Sequence, residues 1–187
     1  HECPTGVDMA KMKFEVLAAR AAKHGLTLRD RLVGYLPYYA GLASRFSWLA
    51  NLRNRSALLR MLFEKVANIS AKRTLPEFRS DVFAPAGEAY GPETGREVVL
   101  FADTFNRAYE RENLDDALKV LIAGGYRVHL PRAADGGRPL CCGRTFLSAG
   151  LVENAKAELK RVIETLIPFA RRGVPIVGLE PSCLLTL

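Results

Sequence analysis

Apolar side chains recur at three- and four-residue spacing through the first third of the chain. Further on they gather into short runs separated by glycine, so the sequence divides by period before any motif is considered. Asp8 is placed to cap a helix that carries Met9, Met12, Phe14, Leu17 and Ala21 on its apolar positions and stops near Gly25. Residues 26–51 are apolar and aromatic but interrupted by Gly34, Pro37 and Gly41, which predicts a pair of shorter helices with the break at Pro37. Ser56 can cap a further helix containing Leu58, Leu59, Leu62, Phe63 and Val66. No strand pattern precedes residue 80. Residues 74–96 then hold Pro76, Pro85, Gly87, Gly91, Pro92 and Gly95 with little periodicity, the composition of a linker or a long extended connection.

The second half alternates between periods. Residues 97–102 (EVVLFA) read as a short apolar strand, residues 113–123 as a helix with Leu114, Ala117, Leu118 and Leu121 on one face, and residues 126–130 as a second strand after Gly124 and Gly125. Residues 150–172 contain a long amphipathic helix. Gly173 follows it, and then a strand at residues 174–179. Strand–helix–strand order with long crossovers requires a parallel sheet with helices packed on it. The expectation is therefore an α+β chain: an all-helical part over residues 1–75, a linker over 76–96, and an α/β unit with a parallel sheet over 97–187.

Charge changes the picture in one respect. The net charge is +7, and it is concentrated at one end. Residues 1–80 carry 14 Lys and Arg against 6 Asp and Glu, whereas the remainder is close to neutral. A basic helical surface can meet nucleic acid or an anionic membrane, but no nucleic-acid motif accompanies the charge. A solvated surface that docks on an acidic partner domain is the simpler reading. An apolar fraction of 49% is enough for a buried core. No run of about 18 apolar residues is present, and no signal-peptide pattern opens the chain, so a cytoplasmic setting is expected. The first residue is His1 rather than Met, and both ends read as cuts through a longer protein.

The four cysteines, Cys3, Cys141, Cys142 and Cys183, carry the candidate chemistry. Adjacent cysteines seldom pair with each other because the geometry is strained, so metal or redox chemistry is favoured over a disulfide scaffold. Cys3-Pro4 leads into a capped helix, which is how a ferredoxin-type run of C-x₂-C-x₂-C-x₃-C-P ends. Leu140-Cys141-Cys142-Gly143 lies between a glycine-rich loop and a helical stretch. Gly143 allows positive φ or a close approach of backbone. Cys183 follows the strand at 174–179, and a helix beginning at Leu184 would put it at a helix N-terminus. In an open parallel sheet all three later cysteines then fall at one edge, where thiolates could share a metal.

The segments VVLFADTFNRAYE, PLCCGRTFLSAGL and PIVGLEPSCLLTL resemble the cysteine-rich "CCG" domain of heterodisulfide reductases and of glycolate-oxidase iron–sulfur proteins. They resemble most specifically the C-terminal portion of FAD-linked oxidases of the D-lactate dehydrogenase (cytochrome) type. The opening HECPTGVDMAKMKFEVLAAR is similar to the exit from the ferredoxin segment of those proteins. The resemblance implies a [4Fe–4S] cluster held by Cys3 with upstream ligands, FAD in an N-terminal domain outside this chain, and a metal site at Cys141, Cys142 and Cys183. It also implies electron transfer from flavin towards a quinone or cytochrome, with possible peripheral association with the inner face of the membrane. The wider family has a cysteine after the first strand and a C-P-x-C near the end. Here Thr104 and Glu180 stand at two of those positions, leaving three of five cysteines. Zinc, an incomplete cluster or no permanent metal are the alternatives at that site. A non-catalytic zinc-binding or docking module is the competing function.

Other candidates are weaker. His24 falls at a helix end and His129 in an apolar strand, where each is expected to be satisfied locally. Tyr38, Tyr39 and Trp48 are expected to pack the helical part or a partner domain, and Asp103 to cap the turn after the first strand.

Overall fold

The computed structural model describes residues 8–187. Cys3 and the ferredoxin-exit reading attached to it lie outside the described residues.

The helical part begins with α1 (Met9–His24), whose N-cap Asp8 accepts the Lys11 backbone N–H at 3.0 Å and which ends at Gly25 with φ of 73°. α2 (Leu28–Gly34) starts in a capping box in which Thr27 and Asp30 each accept the other's backbone N–H. α3 (Leu36–Arg45) follows almost directly. The break expected at Pro37 falls instead at Tyr35. Pro37 is accommodated in the first turn of α3, where the missing N–H has no intrahelical partner to lose. Two single turns, α4 (Ser47–Ala50) and α5 (Leu52–Arg55), lead to α6 (Ala57–Ala67), capped by Ser56 as expected and closed by Asn68 in the left-handed region. Arg53 is buried at 4% exposure. Its guanidinium donates to the carbonyls of Ile69, Ser70 and Arg73, so one of the basic residues of this part fixes a loop rather than charging the surface.

Among the described residues no strand occurs before β1 (Ala89–Tyr90). That short strand lies within the stretch whose composition predicts a linker. Upstream of it, Phe83 is buried in the core of the α/β part. The sheet continues with β2 (Arg96–Phe101), β3 (Tyr126–His129) and β4 (Ile176–Gly178), in the order β1-β3-β2-β4. β2 pairs in parallel with both β3 and β4, with Val98 opposite Val128 and Leu100 opposite Val177, and only β1 is antiparallel. α7 (Thr104–Ala108) and α8 (Arg111–Ala123) follow β2, α9 (Arg144–Ser148) and α10 (Val152–Arg171) follow β3, and α11 (Pro181–Leu184) follows β4.

The two faces of the sheet separate by the period of two in β2. Val98, Leu100 and Ala102 pack with Leu114 of α8, while Val99 and Phe101 pack with Val162 and Leu166 of α10. The helical part rests on the α/β part. Leu36 and Ala40 of α3 pack against Ala108 of α7. A Cβ on Gly34 would come within 3.0 Å of the Ala149 side chain, a tight fit, and one on Gly150, at φ of 76°, within 2.5 Å of the Leu17 carbonyl, a contact that requires glycine. Tyr38 packs on the fully buried Phe146 across this boundary, and Tyr39 donates to the Leu32 carbonyl. Trp48 stays 65% exposed. His129 Nε2 sits 3.1 Å from a Glu97 carboxylate oxygen but is buried without a hydrogen-bond partner, so the local satisfaction expected of it is not found, and His24 is the last residue of α1.

Candidate functional site: a thiol cluster at the carboxyl edge of the sheet

Because β2, β3 and β4 are parallel, the segments that leave them emerge on one edge. Three of those segments bring the candidate residues together. Thr104 opens α7 after β2, Cys141 and Cys142 precede α9 after β3, and Cys183 lies inside α11 after β4. The expected helix starting at Leu184 is corrected here. Pro181 pre-sets the first turn and Glu180 caps it by accepting the Ser182 N–H, so the helix begins before Cys183 and ends at Leu184. Glu180 also accepts the Ser182 hydroxyl at 2.6 Å.

Cys141, Cys142 and Cys183 are free thiols at 2–3% exposure. Their side chains are neighbours, Cys141 against Cys142 and Cys142 against Cys183. The contact with Cys142, together with burial, pushes the Cys141 thiol far above the ordinary range, although the Thr104 hydroxyl and the Gly143 N–H both favour its thiolate. For Cys142, the contact with Cys141 pulls the thiol down. Its contact with Cys183 and its burial outweigh that, and it is pushed up to about 11. Both groups are therefore protonated thiols at neutral pH.

Gly143 provides both properties expected of it. Its φ is 81°, and a Cβ there would meet the Ala155 carbonyl of α10 at 3.0 Å. Positive φ turns the chain into α9 and aims the N–H groups of Gly143 and Arg144 at the sulfurs of Cys141 and Cys142. Asp103, 1% exposed, caps α7 by accepting the N–H groups of Phe105 and Asn106 and the Asn106 side-chain amide. That fixes Thr104 beside Cys141.

A second set of residues, passed over in the sequence, holds the loop that delivers the two cysteines. Glu158 of α10 is 1% exposed and accepts both terminal nitrogens of Arg138. Arg161 bridges Glu158 at 3.1 Å and Asp135, and donates to the Arg138 carbonyl at 2.7 Å. Arg138 also lies over the Tyr38 ring, 4.3 Å from its centre, which ties the loop to α3. The only trace of this in the sequence is an acidic residue on the otherwise apolar face of α10.

The donor chemistry suits a soft metal, because thiolates are the ligands of iron–sulfur clusters and of structural zinc. The number and spacing do not suit one. A four-ligand site finds three thiols and a hydroxyl. Among the described residues no group of three or more His, Cys, Asp or Glu side chains is placed to hold a metal ion.

Comparison with known proteins gives one distant similarity. The chain is 22% identical over 204 aligned positions to the D-2-hydroxyglutarate dehydrogenase of Escherichia coli (strain K12), an alignment that takes in 98% of this chain and 19% of that protein. The chain thus spans about a fifth of the length of the curated relative it matches. No protein-family model matches, and no solved structure matches.

Proposed function

We propose that this chain is the thiol-bearing, electron-transfer portion of a flavin-linked D-2-hydroxyacid dehydrogenase. The observation that carries the reading is the convergence of Cys141, Cys142 and Cys183 with Thr104 at one sheet edge. The similarity to a D-2-hydroxyglutarate dehydrogenase supports an oxidoreductase role, and Cys3-Pro4 supports a ferredoxin-type motif completed upstream. In this reading substrate oxidation by FAD belongs to a domain outside this chain, and the acceptor is a quinone or a cytochrome. An iron–sulfur cluster, when bound, supplies one-electron carriage between the two.

The residues of this chain have defined tasks. Cys3 completes the ligand set of the ferredoxin-type cluster. Asp103 and Gly143 hold the edge in register, and Glu158 with Arg138 fixes the loop that presents Cys141 and Cys142. Burial keeps water from the thiols. A soft metal at the edge requires the thiol protons to leave, so its affinity falls as pH drops. With Thr104 in place of a fourth thiol, the edge offers three soft ligands, one short of a closed four-ligand site.

The test uses the full-length protein with D-2-hydroxyglutarate and its physiological acceptor. Cys142→Ser and Cys183→Ser are expected to leave stopped-flow flavin reduction within about twofold and to lower steady-state turnover by about tenfold or more, a loss of roughly 1.4 kcal/mol in the barrier. Normal turnover in both variants would make these cysteines structural.

A non-catalytic docking or zinc-binding module is the second reading. It is favoured by the exposed apolar side chains Leu42, Trp48, Leu58 and Met61 on the basic helices. Among the described residues no helix is long and apolar enough to cross a membrane, so contact of this surface with a membrane would be peripheral. Iron and zinc analysis of the full-length protein separates the two readings.

A further inference from the structure

A cleft of about 420 Å³ opens beside the thiol edge, at the carboxyl ends of β2 and β3. Its walls are mostly carbon, from Leu100, Phe101, Leu130, Pro131, Pro139 and Leu140. Two cations line it, Arg107 and Arg132, and they differ in kind. Arg132 is 64% exposed and already lies 3.7 Å from Glu88. Arg107 is half-buried, and one terminal nitrogen donates to the Phe83 carbonyl at 2.7 Å. Its Nε is buried without a partner. Among the described residues its other terminal nitrogen has no hydrogen bond, and no carboxylate lies within ion-pair distance of it.

Like the buried Arg53 of the helical part, Arg107 meets a carbonyl and no carboxylate, whereas several arginines near it in the α/β part are charge-paired. Arg79, Arg111, Arg138, Arg161 and Arg172 each pair with a carboxylate. Asp103, the acid whose charge acts on Arg107, is the N-cap of α7 and already accepts three N–H donors. Burial lowers the affinity of Arg107 for its proton, and Asp103 raises it only in part. A half-buried cation without a counter-charge is costly unless a ligand supplies one.

We infer that this cleft is a binding site for a small organic carboxylate with an apolar body, its carboxylate held by Arg107 and its body by the carbon walls. The second terminal nitrogen of Arg107 is free to donate a charge-assisted hydrogen bond to a carboxylate oxygen. The volume fits a small molecule in the range of ordinary ligand pockets. The inference is independent of the electron-transfer reading and stands or falls without any metal at the thiol edge.

Benzoate and benzamide make the test, since they share a shape and differ in charge. Both are titrated into ¹⁵N-labelled 187-residue chain and followed by amide resonances. Benzoate is expected to shift Ala102, Gly136 and Gly137 saturably. Benzamide should bind at least about tenfold more weakly, the loss of one charge-assisted hydrogen bond. Arg107→Gln should reduce benzoate affinity at least about tenfold and Arg107→Lys less, because the point charge remains. Arg132→Gln should change it less than about threefold, since an exposed, already paired cation contributes little. Equal binding of the acid and the amide, shifts centred elsewhere, or unchanged affinity in Arg107→Gln would each overturn the inference. The acid–amide comparison needs no substitution, so it decides even if the Arg107 variants fail to fold.

Discussion

The Thr104 hydroxyl meets the Cys141 thiol, although 36 residues of chain separate them, because β2 and β3 run parallel and release both segments at the same edge. In the cysteine-rich proteins that the chain resembles, a cysteine follows the first strand, at the position Thr104 holds here. Thr104→Cys is therefore expected to raise zinc affinity by about tenfold or more at pH 8, since one more soft anionic ligand joins the site. The gain should shrink as pH falls, because each thiol must lose its proton to ligate. Competition titration against a zinc chelator at pH 6.5 and 8 measures it. An affinity equal to that of the unsubstituted chain would place Thr104 outside the metal-binding set.

The raised Cys142 thiol gives a stability signature at alkaline pH. Between about pH 9 and 11 the folded chain keeps a proton that the unfolded chain has lost. The thiol's contribution is present below the unfolded value and is lost as pH rises through the folded one. The slope for one proton is at most about 1.4 kcal/mol per pH unit. Urea midpoints at pH 8, 9, 10 and 11 should fall more steeply for the unsubstituted chain than for Cys142→Ser. Tyr39 and Tyr109, whose burial also raises them, contribute equally to both proteins and cancel in the difference. Parallel curves would contradict the buried, protonated state of Cys142.

Removing Glu158 strands Arg138 in the loop before the cysteines and leaves Arg161 of α10 with Asp135 as its one carboxylate. Glu158→Ala is expected to cost about 3 kcal/mol, typical of breaking a buried pair by deleting one partner. Glu153→Ala, which breaks an exposed pair with Lys156 on the same helix, should cost under about 0.5 kcal/mol. Urea unfolding of the two variants side by side checks the contrast.

Gly143→Ala combines strain at φ of 81° with a Cβ placed 3.0 Å from the Ala155 carbonyl. A loss of about 2 kcal/mol is expected. The same change displaces the N–H groups aimed at Cys141 and Cys142, so native-state labelling of these thiols by a disulfide reagent should accelerate. A labelling rate unchanged from the unsubstituted chain would show that Gly143 does not hold the thiols.

The elements with strong local signals are legible in the chain. Asp8, Ser56 and Asp103 cap the helices that their positions predict, because capping depends only on a side chain reaching N–H groups two or three residues on. The run EVVLFA determines a strand buried on both faces, and the long crossovers determine its parallel neighbours. By sequence position alone, then, Cys141, Cys142 and Cys183 are bound for one edge.

What only the tertiary structure decides is how that edge is filled. The contact of Cys142 with Cys183, the Thr104 contact, and the burial that protonates Cys141 and Cys142 depend on groups brought together after three strands, among which only Cys141 and Cys142 are neighbours in sequence. The strand at Ala89–Tyr90 has no signature in the sequence because two residues carry no period, and they are ordered by pairing with Val128 and His129. In the sequence Arg138 and Glu158 are a loop cation and a helix acid. Their meaning comes from Glu158 turning inward, an orientation fixed by the face of α10 that Val162 and Leu166 bury against the sheet. Arg107 is the same case in reverse. Its neighbours in sequence supply an acid, but the fold commits Asp103 to capping α7 and leaves the guanidinium in the cleft without a carboxylate.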